Sequence, residues 1–524
     1  MKNEKLANAL NEIDDTYIAQ AATPRKRRPS LWIGAVAALL AVILTVSLLP
    51  GTNPSHSSPN LEVPHTTGST GTTSGTQGTT GTQPSEQDPS PNDKPSPNTG
   101  GIDLSPLQAL PDLLRAPTVP QLVQHPNPDE YAQNWELYGD ALDAWQASQN
   151  AQHNQPEGYA DSLYAFFYRS IQEFLSTDKN SAYSPVNVYM AMAMLAETTD
   201  GNSRQQILDL FGVGSIEELR TQAYHMWNAH YNDDSQTTLL LGNSLWLDHA
   251  YTFHQDTVDR LADHYYASVF TGDLGTQPSN QQLQTWLDVM TGGLLSEQAK
   301  NVELRPEAVF ALASTIYFKA GWEKEFPETG TADGTFHTPS GDVTVPFMHN
   351  YVEGTYYRGS NFGAIALELT GYNRIWIILP DEGISLAEVM AGDEYLRLTS
   401  DPNSWENTGY YTLDIKLPKF DVTSQSDLIV GMKNLGLTDI FDSNVSDFTP
   451  MTRDSDQLFV SQINHAARVV IDEKGVIAAA FTVIEVGDEG AGPNIFQFTV
   501  DRPFLFIVSS QDHLPLFVGT VTNP

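Results

Sequence analysis

The longest apolar run of the chain lies near its start. Residues 31–49 read LWIGAVAALLAVILTVSLL, apolar on every side and free of charge. As a helix at about 1.5 Å per residue this run spans roughly 28 Å, the thickness of a hydrocarbon core, so it is expected to be a single transmembrane helix. Residues 50–101 are dominated by Thr, Gly, Ser, Pro and Asn, as in TTGSTGTTSGTQGTTGTQ. Such a stretch cannot bury enough surface to offset its conformational entropy, and it predicts a low-complexity tether with a reach of roughly 40 Å. In residues 102–155 the apolar positions Tyr131, Trp135, Leu137, Tyr138, Leu142 and Trp145 recur at near-helical spacing. They predict a helical extension that packs on the main domain.

From residue 156 onward the texture is that of a folded domain. Leu163, Phe166, Phe167, Ile171 and Phe174 mark an amphipathic helix between Tyr159 and Leu175, and Pro185 opens another that runs through Leu195. Beyond Thr237 short β-rich runs appear, among them VFALASTIYF, RIWIILP and YTLDIKLPKF, mixed with helical patterns near 254–268, 279–290 and 424–435. Strands and helices do not alternate strictly. An α+β domain with large sheets, from about 156 to 524, is therefore expected.

Charge changes the picture by exclusion. Lys and Arg number 27 against 64 Asp and Glu, a formal net charge of -37, which repels nucleic-acid phosphates. Arg25, Lys26, Arg27 and Arg28 precede the apolar run, whereas the next basic residue is Lys94. Residues 1–30 are thus expected in the cytoplasm and everything after Pro50 outside the cell membrane. The exit TVSLLPGT is a poor cleavage site, which favours an uncleaved signal anchor over a removed signal peptide. No cysteine is present, so disulfides, thiolate metal sites and thiol nucleophiles are excluded. Nothing in the sequence calls for a cofactor or a metal.

Catalytic templates fail. No GxSxG, HExxH, Walker or EF-hand pattern occurs, and Ser176–Lys179 matches SxxK without an SDN or KTG partner. A membrane-anchored hydrolase would need a nucleophile constellation that is missing, so no catalytic residue is assigned.

A resemblance emerges from motifs taken in order: Asn180–Asn187 (NSAYSPVN), Asn243–Trp246 (NSLW), Ile316–Trp322 (IYFKAGW) with Phe326, Leu417–Phe420 (LPKF), Leu435–Asp439 (LGLTD) and Asp501–Phe506 (DRPFLF). Together they resemble the serpin family over about 160–524. The resemblance implies a domain of three β-sheets and eight or nine helices, with a breach tryptophan at Trp322. It also implies a reactive loop that becomes a new strand of the main sheet when a protease cuts it. That loop would be DEKGVIAAAFTVIEVGDEGAGPN, residues 472–494, with a hinge of Glu473, Gly475, Val476, Ala478, Ala479, Ala480 and Thr482. A loop destined to become a central strand needs side chains that fit beneath a sheet at every second position, and no proline. Val476, Ala478, Ala480, Thr482 and Ile484 satisfy this, and no proline occurs before Pro493. Charged, bulky or proline residues there would instead favour a non-inhibitory, serpin-like binding module on the cell surface.

The resemblance further implies a buried shutter of Ser184, Asn187, Ser314 and His465. The family commonly has Ser and Asn where Asn187 and Ser314 stand, but the inventory of donors and acceptors is unchanged. The resemblance also implies that the attacked bond follows the seventeenth residue counted from the hinge glutamate, here Glu489–Gly490; a slightly long distal segment leaves 485–490 as the range. The expected partner is a serine or cysteine endopeptidase with a taste for acidic residues, glutamyl-specific or elastase-like. A trypsin-like enzyme is excluded because no Lys or Arg lies between Lys474 and Arg502. The inhibitor is expected to act as a monomer.

Overall fold

The computed structural model describes residues 36–48, 104–131, 134–293, 295–475 and 494–524. Two hydrogen-bonded sheets organise the described residues. The large sheet contains β1 (Val36–Leu48), β2 (Thr237–Asp248), β3 (Ala267–Gly272), β4 (Ala308–Ala320), β5 (Phe420–Asp427) and β6 (Leu458–Ile471). Their spatial order is β5-β6-β1-β4-β2-β3, closed at the β3 edge by the short strand Leu113–Arg115. In the centre β1 runs antiparallel to both of its neighbours, β6 and β4, whereas β2 and β3 pair in parallel.

The second sheet has nine strands, so the described residues form two sheets where three were expected. The cause is one long strand, Gly341–Arg358. It pairs along most of its length with Thr408–Pro418, and its last residues pair with Phe362–Glu368, so it joins what would otherwise be separate sheets.

The helices include α1 (Trp135–His153), α2 (Pro185–Thr198) and α3 (Gln277–Met290). All fourteen residues of α2 are buried, which follows from a sequence, PVNVYMAMAMLAET, that is apolar nearly all round. It lies between the large sheet and the strand Pro515–Val521, and the core sits around it. Ser184 caps it, its Oγ accepting from Asn187 N at 3.1 Å, with Pro185 at the first turn. The helical pattern near 424–435 is corrected: residues to Asp427 finish β5, and only Ile429–Asn434 is helical. Helix α1 lies against the domain, with Trp145 Nε1 donating to Asp234 at 2.9 Å.

The apolar segment near the start is the largest departure from expectation. Instead of a membrane helix, Val36–Leu48 forms the β1 strand inside the large sheet, and no helix of the described residues is long and apolar enough to cross a membrane. The physical reason is that an uncharged, almost wholly apolar run of Leu, Ala and Val suits a strand covered on both faces as well as it suits a bilayer helix. Ile43 through Leu48 are all buried.

Candidate functional site at the head of the large sheet

The chain leaves β6 at Ile471 and is fastened at once. Trp322 Nε1 donates to the Asp472 carbonyl at 2.8 Å, and Phe326 N donates to the Glu473 carbonyl at 3.0 Å. The Glu473 carboxylate is 7% exposed; it accepts from Thr331 Oγ1 at 2.6 Å and pairs with Lys419 Nζ at 2.6 Å. Burial alone would raise its pKa, but Lys419 and Thr331 outweigh it and hold the carboxyl below its usual range. Asp472 is pushed up by burial beside that charge, and its carboxylate accepts from the Lys474 N–H at 3.0 Å.

Gly475 ends the fastening. It bridges antiparallel to Gly321 at φ +60°, and a Cβ added there would lie 2.4 Å from Trp322 N. Only glycine meets both the left-handed conformation and the close backbone approach. Trp322 itself is 5% exposed and packs on Phe326 with ring centroids 5.4 Å apart. The hinge therefore starts beside the top of β4, where Val36 of β1 stands opposite Ala320. Val476, Ala478, Ala479, Ala480, Thr482, Glu489 and Gly490 lie outside the described residues.

Lower in the sheet, three of the four shutter residues are joined. Ser314 Oγ donates to Asn187 Oδ1 at 2.7 Å, Asn187 Nδ2 donates to the Ser314 carbonyl at 3.3 Å, and Asn187 N donates to Ser184. His465 stands apart, which corrects the expectation of a four-residue network. Val42 of β1 is opposite both Ser314 of β4 and His465 of β6, so a whole strand separates them, a step of about 9–10 Å. Neither ring nitrogen of His465 has a hydrogen-bond partner among the described residues, and its nearest aromatic is Tyr183 at 5.3 Å between centroids.

With this geometry in place the comparisons are decisive. The family model described as Serpin (serine protease inhibitor) matches residues 162–524. The chain belongs to the serpin family. Alpha-1-antitrypsin-like protein GS55-MS of Ictidomys tridecemlineatus is 28% identical over 401 residues, which covers 74% of this chain and 94% of that protein. Among solved structures, the native state of the thermophilic serpin tengpin matches with a TM-score of 0.63 at 23% identity, over 71% of this chain and 95% of tengpin. Thyroxine-binding globulin in complex with thyroxine matches with a TM-score of 0.59 at 23% identity, over 70% of this chain and 98% of that one. These structures share the fold. As a serpin the protein belongs to a family of protease inhibitors and not of enzymes.

Two polar clusters of this serpin escaped the sequence reading. One is the Lys419–Glu473–Thr331 contact that fastens the hinge, whose signal was a lysine between Pro418 and Phe420 in a β-rich run. The other surrounds Glu197, a carboxylate near the end of the otherwise apolar α2; Arg220 Nε and Nη2 donate to it at 2.7 and 2.9 Å and Tyr265 Oη at 3.1 Å.

His465 gives a pH prediction. Desolvation alone pushes its pKa from 6.5 down to about 3, so the folded protein excludes a proton that the unfolded chain accepts. Its contribution to stability is fully present above pH 6.5 and is lost as pH falls toward 3, at up to about 1.4 kcal/mol per pH unit. Denaturation midpoints of His465→Gln and the parent, compared at neutral and mildly acid pH, should show the variant losing less stability on acidification by about that slope. Equal slopes would mean that His465 is hydrated or paired.

Proposed function

We propose that this serpin is an irreversible suicide-substrate inhibitor of a serine or cysteine endopeptidase that acts outside the cell. The observation that carries the reading is the way the large sheet is built. An extra antiparallel strand of 13 residues stands between β4 and β6, and its upper end lies beside the anchored hinge at Gly475. The sheet therefore has, beside the hinge, a strand position of the length and direction that a loop running down from Gly475 would take in place of β1.

In the proposed reaction the protease's nucleophilic oxygen or sulfur attacks the carbonyl carbon of Glu489. The Glu489–Gly490 C–N bond breaks, the Gly490 amine leaves with a proton, and an acyl-enzyme forms. Insertion of the freed loop then carries the enzyme away before water can cleave the ester or thioester. The driving force is strand addition to a sheet held short of its most stable arrangement. An acidic residue at the attacked bond suits a basic or polar primary pocket, hence a glutamyl-specific or elastase-like enzyme.

The second reading, a non-inhibitory binding module, draws on one observation: the strand position is already filled by β1. The test is mass spectrometry of the C-terminal fragment released when a glutamyl endopeptidase meets the full-length protein in phosphatidylcholine vesicles. A fragment beginning at Gly490, with the remainder of the chain attached to the enzyme, is expected. A fragment beginning outside 486–491, or release of both pieces with free enzyme, overturns the proposal.

A further inference from the structure

Strand β1 occupies the place the cleaved loop needs. It runs from Val36, opposite Ala320, to Leu48, opposite Leu458, with β4 on one side and β6 on the other. At its lower end Leu48 N donates to the Glu307 carbonyl at 3.2 Å, and Ser47 Oγ lies 2.9 Å from Ser461 Oγ. A loop descending from Gly475 between the same two strands would require the same ladder of backbone groups. One ladder accepts one strand.

The filled arrangement leaves buried polar groups unanswered. Thr45 Oγ1 and both ring nitrogens of His465 lack partners among the described residues, while Ser314 and Asn187 on the far side of β1 bond only within their own cluster. Ser314 and His465 share a register through Val42. If β1 leaves and β4 closes on β6, the imidazole meets the hydroxyl and carboxamide it now lacks. Residues 31–49 also form an uncharged run of bilayer length, and more than fifty residues separate Leu48 from Leu104, enough chain for the segment to depart without unfolding the domain.

We propose that residues 36–48 are a removable strand that sets whether the inhibitor is armed. In the sheet, they block the loop, and a protease cuts the protein as a plain substrate; withdrawn into a lipid bilayer, they free the position and arm the trap. The armed half of this switch rests on the inhibitor reading above.

The chain contains no cysteine, so an engineered pair reports without interference. The full-length double variant Ser47→Cys, Ser461→Cys replaces two side-chain oxygens already 2.9 Å apart. In detergent-free buffer the pair should oxidise to a disulfide, read by non-reducing gel mobility and loss of maleimide labelling. The oxidised protein should then give at least tenfold less covalent adduct with a glutamyl endopeptidase than its reduced form. Reconstituted into phosphatidylcholine vesicles, the reduced protein should keep both thiols open to maleimide and form adduct. Thiols that stay labelled in buffer would overturn the filled strand, and undiminished adduct from the locked protein would overturn the block. A disulfide with no adduct under any condition would overturn the inhibitor reading and the switch with it, leaving β1 as a permanent strand.

Discussion

Arginine in place of Val476 or Ala480 turns the inhibitor into a substrate. These positions alternate along the loop with others that would face the sheet surface, and the face they present must pass beneath the sheet during insertion. A charge carried into that core without a partner costs several kcal/mol. Even about 3 kcal/mol added to the insertion barrier slows it more than a hundredfold against hydrolysis of the acyl-enzyme. The expected readout, in the form that has β1 out of the sheet, is near-complete loss of covalent adduct with unchanged cleavage of the loop. Undiminished adduct from both variants would remove this register of the loop.

The second large effect is on stability. Glu197 is 1% exposed and holds Arg220 by two hydrogen bonds, Tyr265 by one, and Arg260 at 3.4 Å. Glu197→Ala leaves two guanidinium groups facing a cavity with no counter-charge. Breaking a buried pair from one side costs 3–5 kcal/mol, and the partial exposure of both arginines places this case at the lower end, about 3 kcal/mol. A lowered urea midpoint with unchanged steepness would show it. A loss below about 1 kcal/mol would mean that water replaces the carboxylate.

Much of the fold was legible because local and global signals agree. The all-apolar α2, its Ser184 cap and Pro185 start, and the strands around Ile316 and Ile377 follow from periodicity and turn chemistry. The hinge was legible in part. Glu473, Gly475 and Trp322 meet at one place, yet the lysine that neutralises Glu473 comes from the end of a strand more than fifty residues earlier, a pairing no local pattern announces. The segment 36–48 was misread for the opposite reason: its pattern is unambiguous about being buried and silent about what buries it. A bilayer and the gap between β4 and β6 make the same demand, uncharged side chains on every side. The isolation of His465 then follows from that one placement, because an inserted strand parts residues that the order of motifs would put together.

Trapping of the protease is the central expectation. Full-length protein in vesicles, mixed with an equal amount of glutamyl endopeptidase and boiled in dodecyl sulfate, should give a band at the summed mass of enzyme and inhibitor, with enzyme activity lost in proportion. Complete cleavage of the loop with free, active enzyme and no such band would contradict it.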